Sequence, residues 1–170
     1  MANYSVLIPS KEITFREAGI EASALITRTD KKGMITFASK AFRNMTLYGR
    51  KDLIGESHNI VRHSFMPKIV FKKMWETIKA GKHWSGIVVN QRRDGKYYWV
   101  RVSIDAIDKD GNIISNINSI GEYYKENINN KKEIAGYIAL RREPTGEEIK
   151  KAVNLYRKLK IAEGLEKSVV

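Results

Sequence analysis

Two long β-prone runs separated by an Asp-Gly pair constrain the fold more than any other feature of this sequence. The first run extends from Trp84 to Arg92 and the second from Tyr97 to Ile107, with Asp94-Gly95 between them. An Asp-Gly pair flanked by alternating apolar residues is typical of a tight β-hairpin. We therefore expect these runs to form two antiparallel strands of one sheet.

Both faces of this hairpin carry large or apolar side chains. A two-residue turn would place Asn90 opposite Trp99 and Val88 opposite Arg101. One face would then carry Trp84, Gly86, Val88, Asn90, Trp99, Arg101 and Ser103, and the other Ile87, Val89, Tyr98, Val100, Val102 and Ile104. We expect one face to meet helices and a ligand, and the other to meet an amino-terminal cap or a second subunit.

The rest of the chain predicts an α+β domain with one antiparallel sheet and its helices packed on one face. The predicted elements are a hairpin over residues 24–38, a short helix after Ser39, a helix from Pro67 to Gly81, a strand over residues 134–141, and a terminal helix. Thr145 and Glu148 have the spacing of a capping box at the start of that terminal helix. The apolar side of this helix predicts that it packs on the domain.

Composition excludes several classes of protein. The 170 residues include no cysteine, which excludes disulfides, thiol nucleophiles, iron–sulfur centres and photochemistry through a cysteinyl-flavin bond. No run approaches about 20 apolar residues and no signal peptide is present, so we expect a cytoplasmic protein. His58 and His63 lack a carboxylate at metal-ligand spacing, and no catalytic motif occurs, so we expect neither a metal site nor an enzyme.

The positive charge is concentrated in one part of the chain. The net charge is +12, and residues 30–101 carry +11 of it, interleaved with apolar and aromatic residues. A solvated basic surface, an anionic ligand and a polyanionic partner are all compatible with this pattern. Because no recognition motif accompanies the charge, nucleic acid ranks last among these partners.

One candidate site combines charged and aromatic residues. Arg62 and His63 lie just before a predicted helix, where they either bind an anionic group or make structural hydrogen bonds. Large rings follow at Phe71, Trp75, Trp84 and Trp99. These rings either pack in the core or, with Asn90 and Arg62, surround a flat heteroaromatic ligand that carries phosphate.

The motifs of this central region resemble those of the flavin-binding PAS domains of aerotaxis receptors. The similar segments are residues 58–67, Met74-Trp75, 77–81, Trp84-Ser85-Gly86, Val89-Asn90, 95–101 and 136–141, within a resemblance that spans roughly residues 22–160. The resemblance implies a five-stranded PAS fold that holds FAD non-covalently and reports redox state to a chemoreceptor signalling domain. It further implies that Arg62, His63, Phe71, Trp75, Trp84 and Asn90 line the flavin pocket.

The chain departs from the family pattern at three places. Ser64-Phe65 replaces a Pro-Asp pair, which removes a carboxylate. Ser39 replaces the asparagine that opens the first short helix, and we count Ser39 as a candidate cofactor-binding residue. The Asn-rich stretch over residues 108–132 is an insertion of about 20 residues before the last strand.

These observations together predict three parts of the chain. We expect an N-terminal cap over residues 1–21, a PAS sensor domain over 22–143 with the inserted loop, and an amphipathic helix and tail over 144–170. Because the sequence has no membrane anchor, we expect the signal to pass to a separate membrane-bound chemoreceptor or transducer, or to another signalling protein. The terminal helix or the more apolar outer sheet face is the expected contact, and a homodimer is a further expectation.

Two alternatives stay open at this point. The first is a cofactor-free PAS interaction module, which Ser39 and Phe65 favour. The second is a haem-binding gas sensor with His63 or His83 as axial ligand.

Overall fold

The computed structural model describes residues 11–21, 23–115, 122–124 and 131–168. Its strands are β1 (Leu25–Asp30), β2 (Ile35–Ala38), β3 (Trp84–Gln91), β4 (Tyr97–Ile107), β5 (Glu122–Tyr124), β6 (Lys131–Glu133) and β7 (Gly136–Arg142). Its helices are α1 (Lys40–Thr46), α2 (Arg50–Leu53), α3 (Lys68–Lys79) and α4 (Gly146–Ser168), with a 3₁₀ helix at His58–Val61.

Five strands form one antiparallel sheet in the order β2-β1-β7-β4-β3. The last strand of the chain is thus central, since β7 pairs with β1 on one side and with β4 on the other. Helices α1, α2 and α3 contact the strands of this sheet. This architecture confirms the predicted α+β class, the five-stranded antiparallel sheet and the terminal helix.

The turn between β3 and β4 holds one residue more than the sequence predicted. The amide of Arg92 donates to the carbonyl of Lys96 (2.7 Å), and the amide of Gly95 donates to the carbonyl of Arg92 (2.9 Å). Gly95 has a φ of 89°, the left-handed conformation of a bulged hairpin turn. Trp99 therefore pairs with Val89, and the predicted pairing of Trp99 with Asn90 is wrong by one residue.

The shifted register turns β4 over relative to the predicted arrangement. Side chains alternate between the two faces of a strand, so a slip of one residue moves each of them to the opposite face. Asn90 pairs with Tyr98 and Gly86 with Val102, on the face that meets the helices. Trp99, which the sequence placed on the same face as Asn90, lies on the outer face, where its ring contacts Phe65 edge-on at 6.3 Å.

Helix α4 begins with the predicted capping box and packs on the outer face. The amide of Glu148 donates to Oγ1 of Thr145 (3.2 Å), and the amide of Thr145 donates to Oε1 of Glu148 (3.0 Å). Hydrogen bonds from Arg142 and from the Thr145 amide lower the pKa of Glu148 to about 2. Farther along, the Tyr156 hydroxyl donates to the carbonyl of Ile87 in β3. The helix is thus attached to β7 and β3.

The segment before β1 and the segment between β4 and β7 also make defined contacts. The amide of Ile13 donates to the carbonyl of Tyr97 (2.8 Å), and the hydrophobic side chains Ile13, Phe15 and Ile20 are buried. In the insertion, β5 and β6 form a separate two-stranded sheet that the sequence did not predict.

No helix in the described ranges is long and apolar enough to cross a lipid bilayer.

The close approach of β7 to β1 makes Gly136 a test of the sheet. A Cβ atom at Gly136 would lie 2.0 Å from the backbone oxygen of Thr29. We expect Gly136→Ala to lower the free energy of unfolding by about 1–3 kcal/mol or more, because the strands must move apart. Gly146 has no atom within 4 Å of such a Cβ, so Gly146→Ala is the matched control. Urea unfolding that gave both variants the same stability would contradict this account of the β1–β7 contact.

Candidate functional site

A cavity of about 420 Å³ lies between the helix-facing side of the sheet and α3. Residues of β1, β3, β4 and β7 form its sheet wall, while the 3₁₀ helix and α3 form the opposite wall. The volume is within the range of small-molecule sites. Its lining includes five of the seven predicted site residues: Arg62, Phe71, Trp75, Trp84 and Asn90.

Arg62 and Asn90 are brought together by backbone pairing at the edge of the sheet. The two residues form an antiparallel bridge beside β3, which is an edge strand. The guanidinium carbon of Arg62 lies 4.6 Å from the ring centroid of Phe71, a cation–π distance. Asn90 is 6% exposed, so its amide belongs to the buried part of the cavity, whereas Arg62 is half-buried.

Trp75 is held between two elements that lie far apart in sequence. Its ring contacts Tyr137 of β7 edge-on, with centroids 5.8 Å apart. On its other side it lies against Gly33 in the β1–β2 turn, where a Cβ would come within 2.9 Å of the indole ring. Gly33 also has a φ of 84°, so glycine suits this position in both conformation and space.

Two predicted site residues lie outside the cavity lining. Ser39 joins α1 to the sheet, because its Oγ accepts hydrogen bonds from the amides of Phe42 (3.2 Å) and Ile26 (3.0 Å). His63 is 2% exposed, and its Nδ1 accepts from the amide of Phe65 (3.0 Å). Burial lowers the pKa of His63, which favours the neutral ring that this hydrogen bond requires.

Neither histidine proposed as a haem ligand lines the cavity. His63 is held as described above, and Nδ1 of the exposed His83 lies 2.9 Å from Oδ1 of Asp105. The structure therefore places neither of the two histidines proposed as haem ligands in this cavity. Within the described ranges, no three histidine, aspartate or glutamate side chains form a metal-ligand group.

A polar cluster in the cavity wall was missed at the sequence level. Thr27, His58 and Arg141 all line the cavity. The Thr27 hydroxyl lies 3.0 Å from Nε2 of His58 and accepts a hydrogen bond from Nη1 of Arg141 (3.0 Å). Alternation along the last strand puts Arg141 on the same face as Tyr137 and Ala139, and this was the signal that could have identified it.

Arg141 is a buried cation that has no carboxylate partner among the described residues. It is 6% exposed, and its guanidinium carbon lies 5.0 Å from the ring centroid of Phe42. Burial lowers its pKa to about 10, which still leaves it charged at neutral pH. Burial, with a smaller contribution from Arg141, lowers the pKa of His58 to about 3, so His58 is neutral. The cluster therefore presents one positive charge to the cavity.

Comparison with known proteins identifies relatives in sequence. The sequence profile of the PAS domain family matches residues 22–122. The chain is 35% identical over 137 residues to the aerotaxis receptor of Escherichia coli strain K12, covering 81% of this chain and 23% of that receptor. It is 32% identical over 87 residues to the nitrogen fixation regulatory protein of Klebsiella pneumoniae, covering 51% of this chain and 18% of that protein. The chain thus spans less than a quarter of either relative.

Solved structures with the same fold include light-oxygen-voltage (LOV) domains. The light-state structure of the blue-light photoreceptor Aureochrome1 LOV superimposes with a TM-score of 0.55 at 17% identity, covering 86% of this chain and 99% of that one. A light-oxygen-voltage domain studied with a flavin analogue also gives 0.55, at 16% identity, covering 84% and 90%. At these identities the likeness establishes the fold alone.

His58 predicts a loss of stability in acid. The pKa of the His58 side chain is near 6.5 in the unfolded chain and is lowered to about 3 in the folded protein. Between these values only the unfolded state is protonated at this site, so the free energy of unfolding falls as pH decreases, by at most about 1.4 kcal/mol per unit. We expect urea unfolding from about pH 7.5 to about pH 4.5 to show a steeper loss for wild type than for His58→Gln. Parallel pH curves would contradict this prediction.

Arg141 predicts an unusual effect of removing a charge. Because a buried charge without a described carboxylate partner opposes folding, we expect Arg141→Met to leave the free energy of unfolding unchanged or to raise it in ligand-free protein. The adjacent Arg142→Met is the control, since it breaks contacts with Glu148 at 3.0 and 3.2 Å and should lower stability slightly. A loss above about 2 kcal/mol for Arg141→Met would instead assign this side chain a structural role.

Proposed function

The chain belongs to the PAS domain family, and we propose that it is a sensory domain that binds FAD in its cavity and signals the flavin's redox state. One observation supports this proposal most directly. A cavity walled by aromatic rings contains the buried cation Arg141, which has no carboxylate partner in the described part of the chain, and the exposed cations Lys32 and Lys72 also line it. A planar ligand with acceptor groups at one end and phosphate at the other matches this arrangement.

The residues of the cavity fit a flavin by their chemistry. Phe71, Trp75 and Trp84 offer flat apolar surfaces for an aromatic ring system. The buried Asn90 amide both donates and accepts hydrogen bonds, and Arg141 donates only, so together they suit a ring edge that carries carbonyl oxygens and nitrogens. When bound, the flavin supplies reversible electron and proton transfer. The protein orients the ring, and Arg141 favours negative charge near it.

The comparisons support the same proposal at a coarser level. The relatives named above are a receptor for aerotaxis and a regulatory protein, and one structural neighbour is the light-oxygen-voltage domain studied with a flavin analogue. The chain contains no cysteine, so a flavin here would signal without a cysteinyl bond. We infer a sensor of redox state, and of the respiratory activity that sets it.

Helix α4 is the proposed route from the cavity to a signalling partner. In β7, Arg141 faces the cavity and the next residue, Arg142, binds Glu148 of α4. In β3, Asn90 lines the cavity and Ile87 accepts the hydrogen bond from Tyr156 of α4. A change in hydrogen bonding around the ligand would thus reach α4 through two strands. We propose a membrane-bound chemoreceptor or another signalling protein as the partner that contacts this helix.

The proposal predicts that the purified full-length chain is yellow. We expect oxidised flavin absorbance that bleaches on reduction, and release of FAD on heat denaturation. Loss of a hydrogen-bonding group inside a site costs about 1–3 kcal/mol, so Asn90→Leu should weaken FAD binding by about tenfold or more. Asn44→Leu, at an exposed position on α1, is the control and should bind FAD normally.

The variants are to be compared by flavin fluorescence titration after their folding is checked by circular dichroism. A colourless protein that stays colourless after incubation with FAD would overturn the proposal and favour the cofactor-free interaction module. Equal FAD affinity of Asn90→Leu and wild type would remove Asn90 from the flavin site.

A further inference from the structure

Part of the positive charge of residues 30–101 lies around one groove of the structure. A groove of about 360 Å³ runs between the β1–β2 turn and α3, lined by Lys31, Lys32, Lys72, Trp75, Glu76 and Lys79. It shares Lys32, Lys72 and Trp75 with the main cavity, so the two spaces adjoin at these residues. Four lysines therefore line a groove that lies next to the cavity.

These lysine charges are only partly offset by the described part of the protein. None of the four makes an ion pair with a described carboxylate, and Glu76 is the only acidic side chain in the groove lining. The nearby Asp30 is occupied by the turn, since its Oδ1 accepts hydrogen bonds from the amides of Lys32 (2.9 Å) and Met34 (3.0 Å). Like charges so arranged repel one another unless an anion binds between them.

Trp75 holds the β1–β2 turn and α3, which carry these lysines, in a fixed position relative to each other. Contacts with Gly33 and Tyr137 hold its ring between the turn and the sheet, as described above. Nζ of Lys79 lies 5.5 Å from the ring centroid of Trp75. The indole thus lies at the boundary of cavity and groove and keeps the turn lysines opposite those of α3.

We propose that this lysine groove binds the diphosphate of the cavity ligand, and so selects flavin adenine dinucleotide over flavins with one phosphate or none. This inference rests on the proposed flavin site. Lysine ammonium groups bind phosphate as point charges, and several of them around one groove suit an anion that carries more than one charge. Riboflavin has no phosphate, so the groove adds nothing to its binding affinity.

The test compares two double variants that remove equal charge from exposed helical positions. Lys72→Gln/Lys79→Gln removes the α3 side of the groove, and Lys150→Gln/Lys151→Gln removes two exposed lysines of α4 as the control. Flavin-stripped full-length chain is titrated with FAD, FMN and riboflavin, followed by flavin fluorescence. Inorganic pyrophosphate is titrated separately by calorimetry.

We expect wild type and control to bind FAD more tightly than riboflavin, with an affinity for FAD that falls as salt rises. The groove variant should lose about tenfold in FAD affinity and most of its pyrophosphate binding, with riboflavin unaffected. Equal binding of FAD and riboflavin by wild type, with no difference in pyrophosphate binding between the two double variants, would overturn the groove while leaving the flavin site intact. Pyrophosphate binding that is lost only in the groove variant, in a protein that binds no flavin, would support the groove and overturn the proposed function.

Discussion

The pairing of β7 with both β1 and β4 is the constraint on which the rest of this structure depends. Six residue pairs join β7 to β1 and seven join it to β4, so the strand nearest the carboxyl end connects the two hairpins into one sheet. The sheet wall of the cavity exists only once β7 is in place, because Tyr137, Ala139 and Arg141 lie between the contributions of β1 and β4. Long-range pairing of this kind carries a loop-closure cost, and the small residue Gly136 allows the close contact with Thr29 on which it relies.

The same strand introduces an electrostatic cost to the fold. Burial of Arg141 without a carboxylate partner among the described residues opposes folding, and the exposed lysines of the groove add repulsion around one space. Phe65, at a position where the resemblance to aerotaxis receptors implies a carboxylate, is instead a fully buried ring that contacts Trp99. The chain therefore has apolar packing beside His63, while Lys32, Arg62, Lys72 and Arg141 line the cavity. Such a distribution is typical of a binding site for an anionic ligand rather than of a surface optimised for stability alone.

Local patterns were sufficient to predict most of the elements, and long-range geometry explains what they missed. Pro67 and Gly81 bracketed α3, and Thr145 with Glu148 marked the start of α4. The hairpin was predicted but its register was wrong, because Asp-Gly is compatible with both a two-residue turn and the observed turn with Gly95 at a bulge. That single residue moved Trp99 out of the predicted site. Five of the seven predicted site residues line the cavity because four of them lie on α3 or β3, and the fifth, Arg62, lies shortly before α3.

Alternation along β7 links the chemistry of the cavity to the outer surface. Arg141 and Arg142 are consecutive, so their side chains lie on opposite faces, one beside the ligand space and the other bound to the capping residue of α4. Strand β7 is hydrogen-bonded to a neighbour on both sides, so it has no free edge that could separate from the sheet. A movement of the strand at Arg141 is therefore passed on to Arg142. The contacts of Arg142 with Glu148 are largely exposed and individually weak, which makes them the part that can change. A central strand paired on both sides, followed by the weak contacts between Arg142 and Glu148, is therefore suited to converting a small movement of Arg141 in the cavity into a shift of α4.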